Sequence, residues 1–284
     1  MIKVIPVINN KGGVGKTTTA VNLGAGLARA GRRVLLVDLD AQGSASLSLG
    51  VDRDEPGSAT ALYRQGPMGG TARPTAVPNL FVSPGTLALA DADVRLASVP
   101  NRVGRLRQAL APVRDEYDVI LLDCSPSASL LTVNALVAAD GLIVPLTPDY
   151  LSVQGLLRFG DLVRRVRQAI GRLAPVLGIG LTNANVKSDI GGAAEETLRE
   201  RFGGKVFDTV IRPDEALQEA PAHAQDIFSY APDSAGAADY RSLALEVGNR
   251  IDRYSHVFRG PSVPTVTYTQ AAVVERIVGL KVAA

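Results

Sequence analysis

The sequence predicts an α/β fold, with one doubly wound, mostly parallel sheet and helices on both of its faces. Three observations carry that expectation. Short apolar runs recur along the chain, and several end at a polar residue, as at Asp38, Asp123 and Asn183. Segments with apolar residues at helical spacing separate these runs. The runs are continuously apolar rather than alternating, as strands covered on both faces are.

In chain order, residues 2–8 read as a buried strand and residues 17–30 as a helix, with Val21, Leu23, Leu27 and Ala28 on its buried side and Gly31 closing it. Residues 33–38 are the next strand, which makes a βαβ unit with a right-handed crossover. Residues 51–78 are rich in Gly, Pro, Thr and Arg and read as a loop region with one short helix at 59–64. A short strand at 80–83 precedes helical segments at 88–97 and 102–113, with Arg102, Arg105, Arg107 and Arg114 expected on a solvated face. Residues 117–123 and 140–145 read as buried strands. The long segment 151–173 has helical spacing, with Leu156, Leu157, Leu162, Val163, Val166 and Ile170 on its apolar face. A strand at 176–182, a helix at 190–202, a short strand at 205–212 and a helix at 236–253 complete the order. Tyr240, Leu243, Val247 and Ile251 mark the buried side of that last helix.

Composition narrows the function classes. Across 284 residues, 46% are hydrophobic and 20% charged, which is ordinary for a soluble globule. The net charge of +2 is too mild to require a nucleic-acid partner, although a local patch remains open. One cysteine, Cys124, excludes an internal disulfide and has no histidine near it in sequence, so it reads as a small buried residue. The first residues lack the pattern of a secretory signal, and no apolar run approaches the roughly 18 residues of a membrane span.

The chemistry concentrates in Lys11-Gly12-Gly13-Val14-Gly15-Lys16-Thr17-Thr18, between the first strand and the first helix. Glycines there let backbone N–H groups turn toward a polyanion at the positive end of the helix. Lys16 is placed to reach β- and γ-phosphates, and the Thr17 hydroxyl to meet Mg²⁺. The run fits Gly-x-x-x-x-Gly-Lys-Thr loosely, because Asn10 stands at the first glycine position and Lys11 follows it. Asp38 and Asp40 close the second strand, where open parallel sheets bind ligands, although solvated turn aspartates would look the same. Asp123, after four apolar residues, fits a carboxylate that holds a Mg²⁺-bound water.

The run Lys11–Thr18 resembles the deviant Walker A motif of the ParA/MinD family of P-loop ATPases, most closely the ParA/Soj-type partition ATPases. The resemblance spans about residues 1–255 as one ATPase domain and leaves 256–284 as an extension, in which residues 273–282 have helical spacing. It implies ATP and Mg²⁺ as ligands, and a homodimer formed on ATP in which Lys11 crosses to the partner's nucleotide. By the same resemblance Asp40 positions the attacking water, and Thr17, Asp40 and Asp123 hold the metal, the aspartates through water. Asn183 matches the adenine-reading asparagine, and Arg212-Pro213-Asp214 falls in the nucleotide-flanking loop, where the family has Pro-Arg-Asn. Ser125 replaces a usual proline, and Ala216 replaces a usual arginine. His223 matches a family histidine, and it and His256 are expected to be structural. The implied partners are non-specific DNA and a ParB-like centromere-binding protein, which would place the protein in the cytoplasm at the nucleoid.

DNA contacts would fall to Arg158, Arg164, Arg165, Arg167, Lys187 and Arg212, although the arginines of the long helix fit a solvated face equally well. A MinD-like membrane-cycling ATPase is an alternative, but Gln270–Ala284 carries only Arg276 and Lys281 and no aromatic residue, so no stable membrane anchor is expected. A factor that positions other cargo with the same switch is a further alternative. A nitrogenase-reductase-like electron carrier would need more cysteines than one. No helix-turn-helix precedes the loop, so operator binding is not expected.

Overall fold

The computed structural model describes residues 3–54, 56–64, 66–171, 174–185 and 189–257. Lys187 and the helical segment expected at 273–282 lie outside the described residues, as does the side chain of Arg158. Eight strands among the described residues form one sheet: β1 Val4–Val7, β2 Val34–Leu39, β3 Arg73–Pro74, β4 Leu80–Ser83, β5 Val119–Cys124, β6 Leu142–Leu146, β7 Val176–Leu181 and β8 Val206–Val210. Their order is β3-β4-β2-β5-β1-β6-β7-β8. Every neighbouring pair is parallel except β3 with β4. The fold is the predicted doubly wound sheet.

The helices are α1 Lys16–Arg29, α2 Ser44–Ser48, α3 Ser58–Arg64, α4 Ala92–Ala97, α5 Arg105–Leu110, α6 Leu130–Ala138, α7 Tyr150–Ile170, α8 Asp189–Phe202, α9 Ala216–Glu219, α10 Ile227–Tyr230 and α11 Ala235–Val257. Alternate residues of each strand feed two separate cores. On one face Ile5, Val7, Leu36 and Leu121 pack with Leu23 and Leu27 of α1 and with Tyr240, Leu243, Val247 and Ile251 of α11. On the other face Val4, Leu35, Ile120 and Val144 pack with Leu106 of α5, Leu136 of α6, Phe159 and Val166 of α7 and Leu198 of α8. No helix among the described residues is long and apolar enough to cross a membrane.

Three features depart from the sequence reading. β5 lies between β1 and β2, so the first βαβ unit spans a strand that arrives some eighty residues later. The region 51–78 holds, besides α3, a 3₁₀ turn at Met68–Thr71 and the antiparallel edge strand β3. Arg102 and Arg105 are buried rather than solvated. Arg105 donates through Nε and a terminal nitrogen to the carbonyl of Leu62 at 3.2 and 2.9 Å, and Arg102 donates to the carbonyl of Ala97 at 2.5 Å. Their guanidinium groups satisfy carbonyls of other segments, which the local spacing does not reveal.

Glu246 of α11 ties β8 to the face of the sheet covered by α1 and α11. Its carboxylate accepts the backbone N–H groups of Asp208 and Thr209, both at 3.0 Å, and the guanidinium of Arg250 at 2.7 Å. Burial pushes this carboxyl up, but the two amides and Arg250 outweigh it and hold it below its ordinary value. A lowered acid stabilises the fold above its unfolded-state value, and that stability is lost as pH falls through the folded value. Glu246→Gln is therefore expected to cost about 1–3 kcal/mol at pH 7. The difference from wild type should be smaller at about pH 3, below the ordinary glutamate value, than at pH 7, because it is lost as pH falls through the folded value. Urea unfolding at the two pH values checks this, and a pH-independent difference would contradict it.

Candidate nucleotide and metal site

The site lies where β1, β2 and β5 end. β1 stops at Val7 and α1 begins at Lys16, with the glycine-rich loop between them. Gly13 and Gly15 take φ of 73° and 72°, the left-handed region in which a side chain is strained. A Cβ built at Gly12 or Gly13 would meet nothing within 4 Å, so the loop faces open space. The Lys16 ammonium is buried and donates to the carbonyl of Lys11 at 2.9 Å. Burial lowers its pKa, against the pull of Asp123, Cys124 and Asp40, which favour the charged form.

Asp123 sits beside Lys16 with no exposed surface. The strand register places it between Asp38 of β2 and Val7 of β1. Thr17 donates its hydroxyl to Asp123 Oδ2 at 2.8 Å, while Oδ1 is buried with no hydrogen-bond partner among the described residues. Burial, then the adjacent Asp38, pushes the Asp123 carboxyl well above its ordinary value, and Thr17 and Lys16 only partly offset this. A buried, orphaned carboxylate oxygen beside a hydroxyl suits a hard divalent cation that binds oxygen, directly or through water. Thr17 and Asp123 therefore fit Mg²⁺ on the chemistry of the donors present. Cys124, next in sequence, is buried, and its thiol is pushed far up by burial and by Asp123, so it is no nucleophile.

The aspartates that end β2 separate into two kinds. Asp38 is fully buried and accepts three donors: Ser46 N at 3.0 Å, Ser46 Oγ at 2.7 Å and Asp40 N at 3.1 Å. Burial still raises its pKa. It holds α2 against the sheet and turns Asp40 outward. Asp40 is half-buried and accepts Gln42 N at 2.9 Å, so it is the one of the pair that can meet water at the site.

Lys11, after the loop's first turn, donates to both oxygens of Asp149 at 3.0 Å. Thr147 donates to the same carboxylate at 2.6 Å. The pair is about one-third and two-fifths exposed, so it is worth about 0–1 kcal/mol and parks Lys11 without locking it. Sequence reasoning missed Asp149. The available signal was an acidic residue three positions past the end of β6, on the same sheet edge as Asp40 and Asp123.

A pocket of about 320 Å³ continues from the loop, lined by Gly13, Gly15 and Thr18 on one side and Asn183, Arg212 and Asp214 on the other. It thus gathers half of the nucleotide-contacting residues expected from sequence, namely Gly13, Gly15, Thr18, Asn183, Arg212 and Asp214. Pro213 is exposed beside them and does not line it. Arg212 clamps Asp239 of α11 through Nε at 2.9 Å and a terminal nitrogen at 2.7 Å, so its charge is already engaged at the pocket. Asp239 was also missed, because it lies 27 residues away with no motif around it. Of the other DNA candidates, Arg164, Arg165 and Arg167 are exposed on α7, and Arg164 pairs with Asp161 at 3.1 Å. His223 is exposed and stacks on Tyr230 with ring centroids 4.9 Å apart, a packing role.

Comparison with known proteins adds independent findings. Residues 2–175 match the sequence profile of a family described as an AAA domain. The sporulation initiation inhibitor protein Soj of Bacillus subtilis is 40% identical over 249 residues, which is 87% of this chain and 98% of that protein. The chromosome-partitioning ATPase Soj of Treponema pallidum is 39% identical over 87% of this chain and 97% of its own length. Among solved structures, cobyrinic acid a,c-diamide synthase of Mycobacterium smegmatis with bound ADP and magnesium superposes with a TM-score of 0.75. It is 31% identical, over 94% of this chain and all of that one.

Gly85, after β4, supports the acidic edge from behind. Its N–H donates to Ser46 Oγ at 3.1 Å, and a Cβ there would meet Asp38 Oδ1 at 2.7 Å and collide with the carbonyl of Asp40. Gly85→Ala is expected to cost about 1–3 kcal/mol by overpacking. Gly70→Ala, whose Cβ meets open space, should cost far less. Chemical denaturation of both variants checks this, and equal stabilities would contradict it.

Proposed function

This chain belongs to the ParA/MinD family of P-loop ATPases, and from that premise we propose that it is a Mg²⁺-dependent partition ATPase of the ParA/Soj type. The observation that carries the reading is Asp123. Its orphaned buried oxygen stands beside the Thr17 hydroxyl and the buried Lys16 ammonium, at the foot of an open glycine-rich loop.

The roles follow from the chemistry of each group. Loop N–H groups and Lys16 bind the phosphates of ATP. Thr17, Asp40 and Asp123 would hold Mg²⁺, the aspartates through water. The ion would supply charge neutralisation at the phosphates. Asp40, the outward carboxylate, orients the attacking water. Asn183, Arg212 and Asp214 flank the base. Lys11 leaves Asp149 and reaches the nucleotide of a second subunit, so turnover is slow in the monomer and requires an ATP-bound homodimer.

The dimer holds DNA through phosphate contacts, independent of sequence. Arg158, Arg164, Arg165, Arg167, Lys187 and Arg212 are the candidate contacts. Dimerisation doubles whatever patch one subunit presents, which couples ATP to DNA binding without a change of fold. A ParB-like DNA-bound partner accelerates hydrolysis and resets the cycle at the nucleoid. Residues 1–255 form the ATPase domain in this reading, and 256–284 are an extension of it.

The test separates the two lysines. Lys16→Ala removes charge-assisted bonds to the phosphates and should weaken ATP binding by about 10- to 150-fold. Lys11→Ala should bind ATP nearly as wild type does, yet remain monomeric and fail to turn over. Calorimetry with ATP and light scattering in ATP and ADP give the readouts. ATP affinity unchanged by Lys16→Ala, or normal dimerisation of Lys11→Ala, would contradict the proposal.

A further inference from the structure

We infer that Arg53 is a positioning residue for hydrolysis: it closes the turn that carries Asp40 from the solvent side, and so sets where the Asp40 carboxylate holds water. This rests on the reading above, in which Asp40 orients the attacking water, and adds a residue that acts on Asp40 only through its turn.

The turn runs from Asp40 to Gly43. Gly43 N–H donates to the carbonyl of Asp40 at 2.9 Å, and Gln42 N–H donates to Asp40 Oδ1 at 2.9 Å. Oδ1 is thereby taken, while Oδ2 has no hydrogen-bond partner among the described residues. On the inner side, Asp40 N–H donates to Asp38 Oδ1 at 3.1 Å. On the outer side, Arg53 donates a terminal nitrogen to the carbonyl of Gln42 at 2.7 Å. That carbonyl and the Gly43 N–H belong to one planar peptide group. The group is gripped at both ends, by Arg53 and by the Asp40 carbonyl. Gly43 takes φ of 61°, in the left-handed region. A Cβ there would collide with Cδ of Arg53 and meet its Cγ at 2.7 Å, so the arginine stem lies directly against the glycine.

Arg53 is itself held in place. Arg73, on edge strand β3, donates to the carbonyls of Asp52, Asp54 and Pro56 at 3.2, 2.7 and 3.3 Å. Just upstream, Val51 is buried and its N–H donates to the carbonyl of Ser46 at 3.0 Å. Arg53 thus extends from a segment fixed on both sides of it. Arg53 and Gln42 are both exposed, so water replaces the bond when the arginine is removed and the fold loses little. What is lost is geometry. The peptide after Gln42 can then turn, and the Gln42 amide that holds Asp40 Oδ1 turns with it. Orientation of an attacking water is sensitive to such displacements, since about 1 Å can cost about a hundredfold in rate.

Full-chain variants Arg53→Ala, Arg53→Lys and Arg53→Met test this, with Asp40→Ala as reference. Steady-state hydrolysis gives kcat and KM, calorimetry gives ATP affinity, and light scattering gives ATP-dependent dimerisation. Arg53→Ala should melt, bind ATP and dimerise as wild type does, yet lose about ten- to a hundredfold in kcat. Arg53→Lys, which keeps the stem and a donor, should recover most of that rate. Arg53→Met, which keeps the stem alone, should not. Wild-type kcat in Arg53→Ala would overturn the inference, as would equal rates for the Lys and Met variants. A loss of ATP affinity or of dimerisation as large as the loss of rate would overturn it too. In each of these cases an inactive Asp40→Ala leaves the Asp40 reading standing. Wild-type turnover in Asp40→Ala would overturn that reading itself, and this inference with it.

Discussion

Two carboxylates buried side by side at the carboxyl edge of the sheet constrain everything around them. Asp38 and Asp123 are register neighbours on β2 and β5, and neither has exposed surface. Like charges at close quarters in a poorly solvated interior raise both acids, and only compensation by donors or cations makes such a pair tolerable. The fold compensates them unequally. Asp38 receives three hydrogen bonds and becomes part of the scaffold. Among the described residues Asp123 receives one, from Thr17, and keeps an unpartnered oxygen. A buried group left unsatisfied costs about 1–3 kcal/mol, and more when charged. That cost is what a cation at the site would relieve.

Lys16 is the complementary half of the same arrangement. Burial makes its ammonium less stable, and Asp123 and Asp40 draw the charge back. The ammonium meanwhile rests on the carbonyl of Lys11. The loop therefore holds a cation and an anion close together, each short of partners, under a glycine turn open to solvent. A polyanion with its metal would supply both partners at once. Lys11 is held differently, by a half-exposed contact with Asp149 that is cheap to exchange. The two lysines of one loop thus differ in how firmly the fold holds them, which suits one to binding within the subunit and the other to reaching outside it.

Much of this was legible in the sequence, for local reasons. A glycine turn between a strand and a helix is written in consecutive residues, and so were the apolar runs and the aspartates that end them. What stayed hidden was non-local. That β5 inserts between β1 and β2 depends on pairing across some eighty residues, and without it the juxtaposition of Asp38 and Asp123 cannot be read. The different roles of Asp38 and Asp40 depend on Ser46 and Gly85, which no motif marks. Arg105 resembled a surface residue because the carbonyl it satisfies, that of Leu62, is 43 residues away. Asp149 and Asp239 were overlooked for the same reason, since each matters through one distant basic partner.

The central claim is that Asp123 is an uncompensated buried acid that the bound metal and nucleotide complete. Thermal unfolding of Asp123→Asn, with and without Mg²⁺ and ATP, tests it most directly. Without ligand the variant should melt above wild type, because a neutral amide removes the cost of burying the charge. Saturating Mg²⁺ and ATP, at about a hundred times the dissociation constant, should stabilise wild type by about 2.7 kcal/mol and the variant by much less. A variant that melts below wild type without ligand and gains the full increment with Mg²⁺ and ATP would contradict the account.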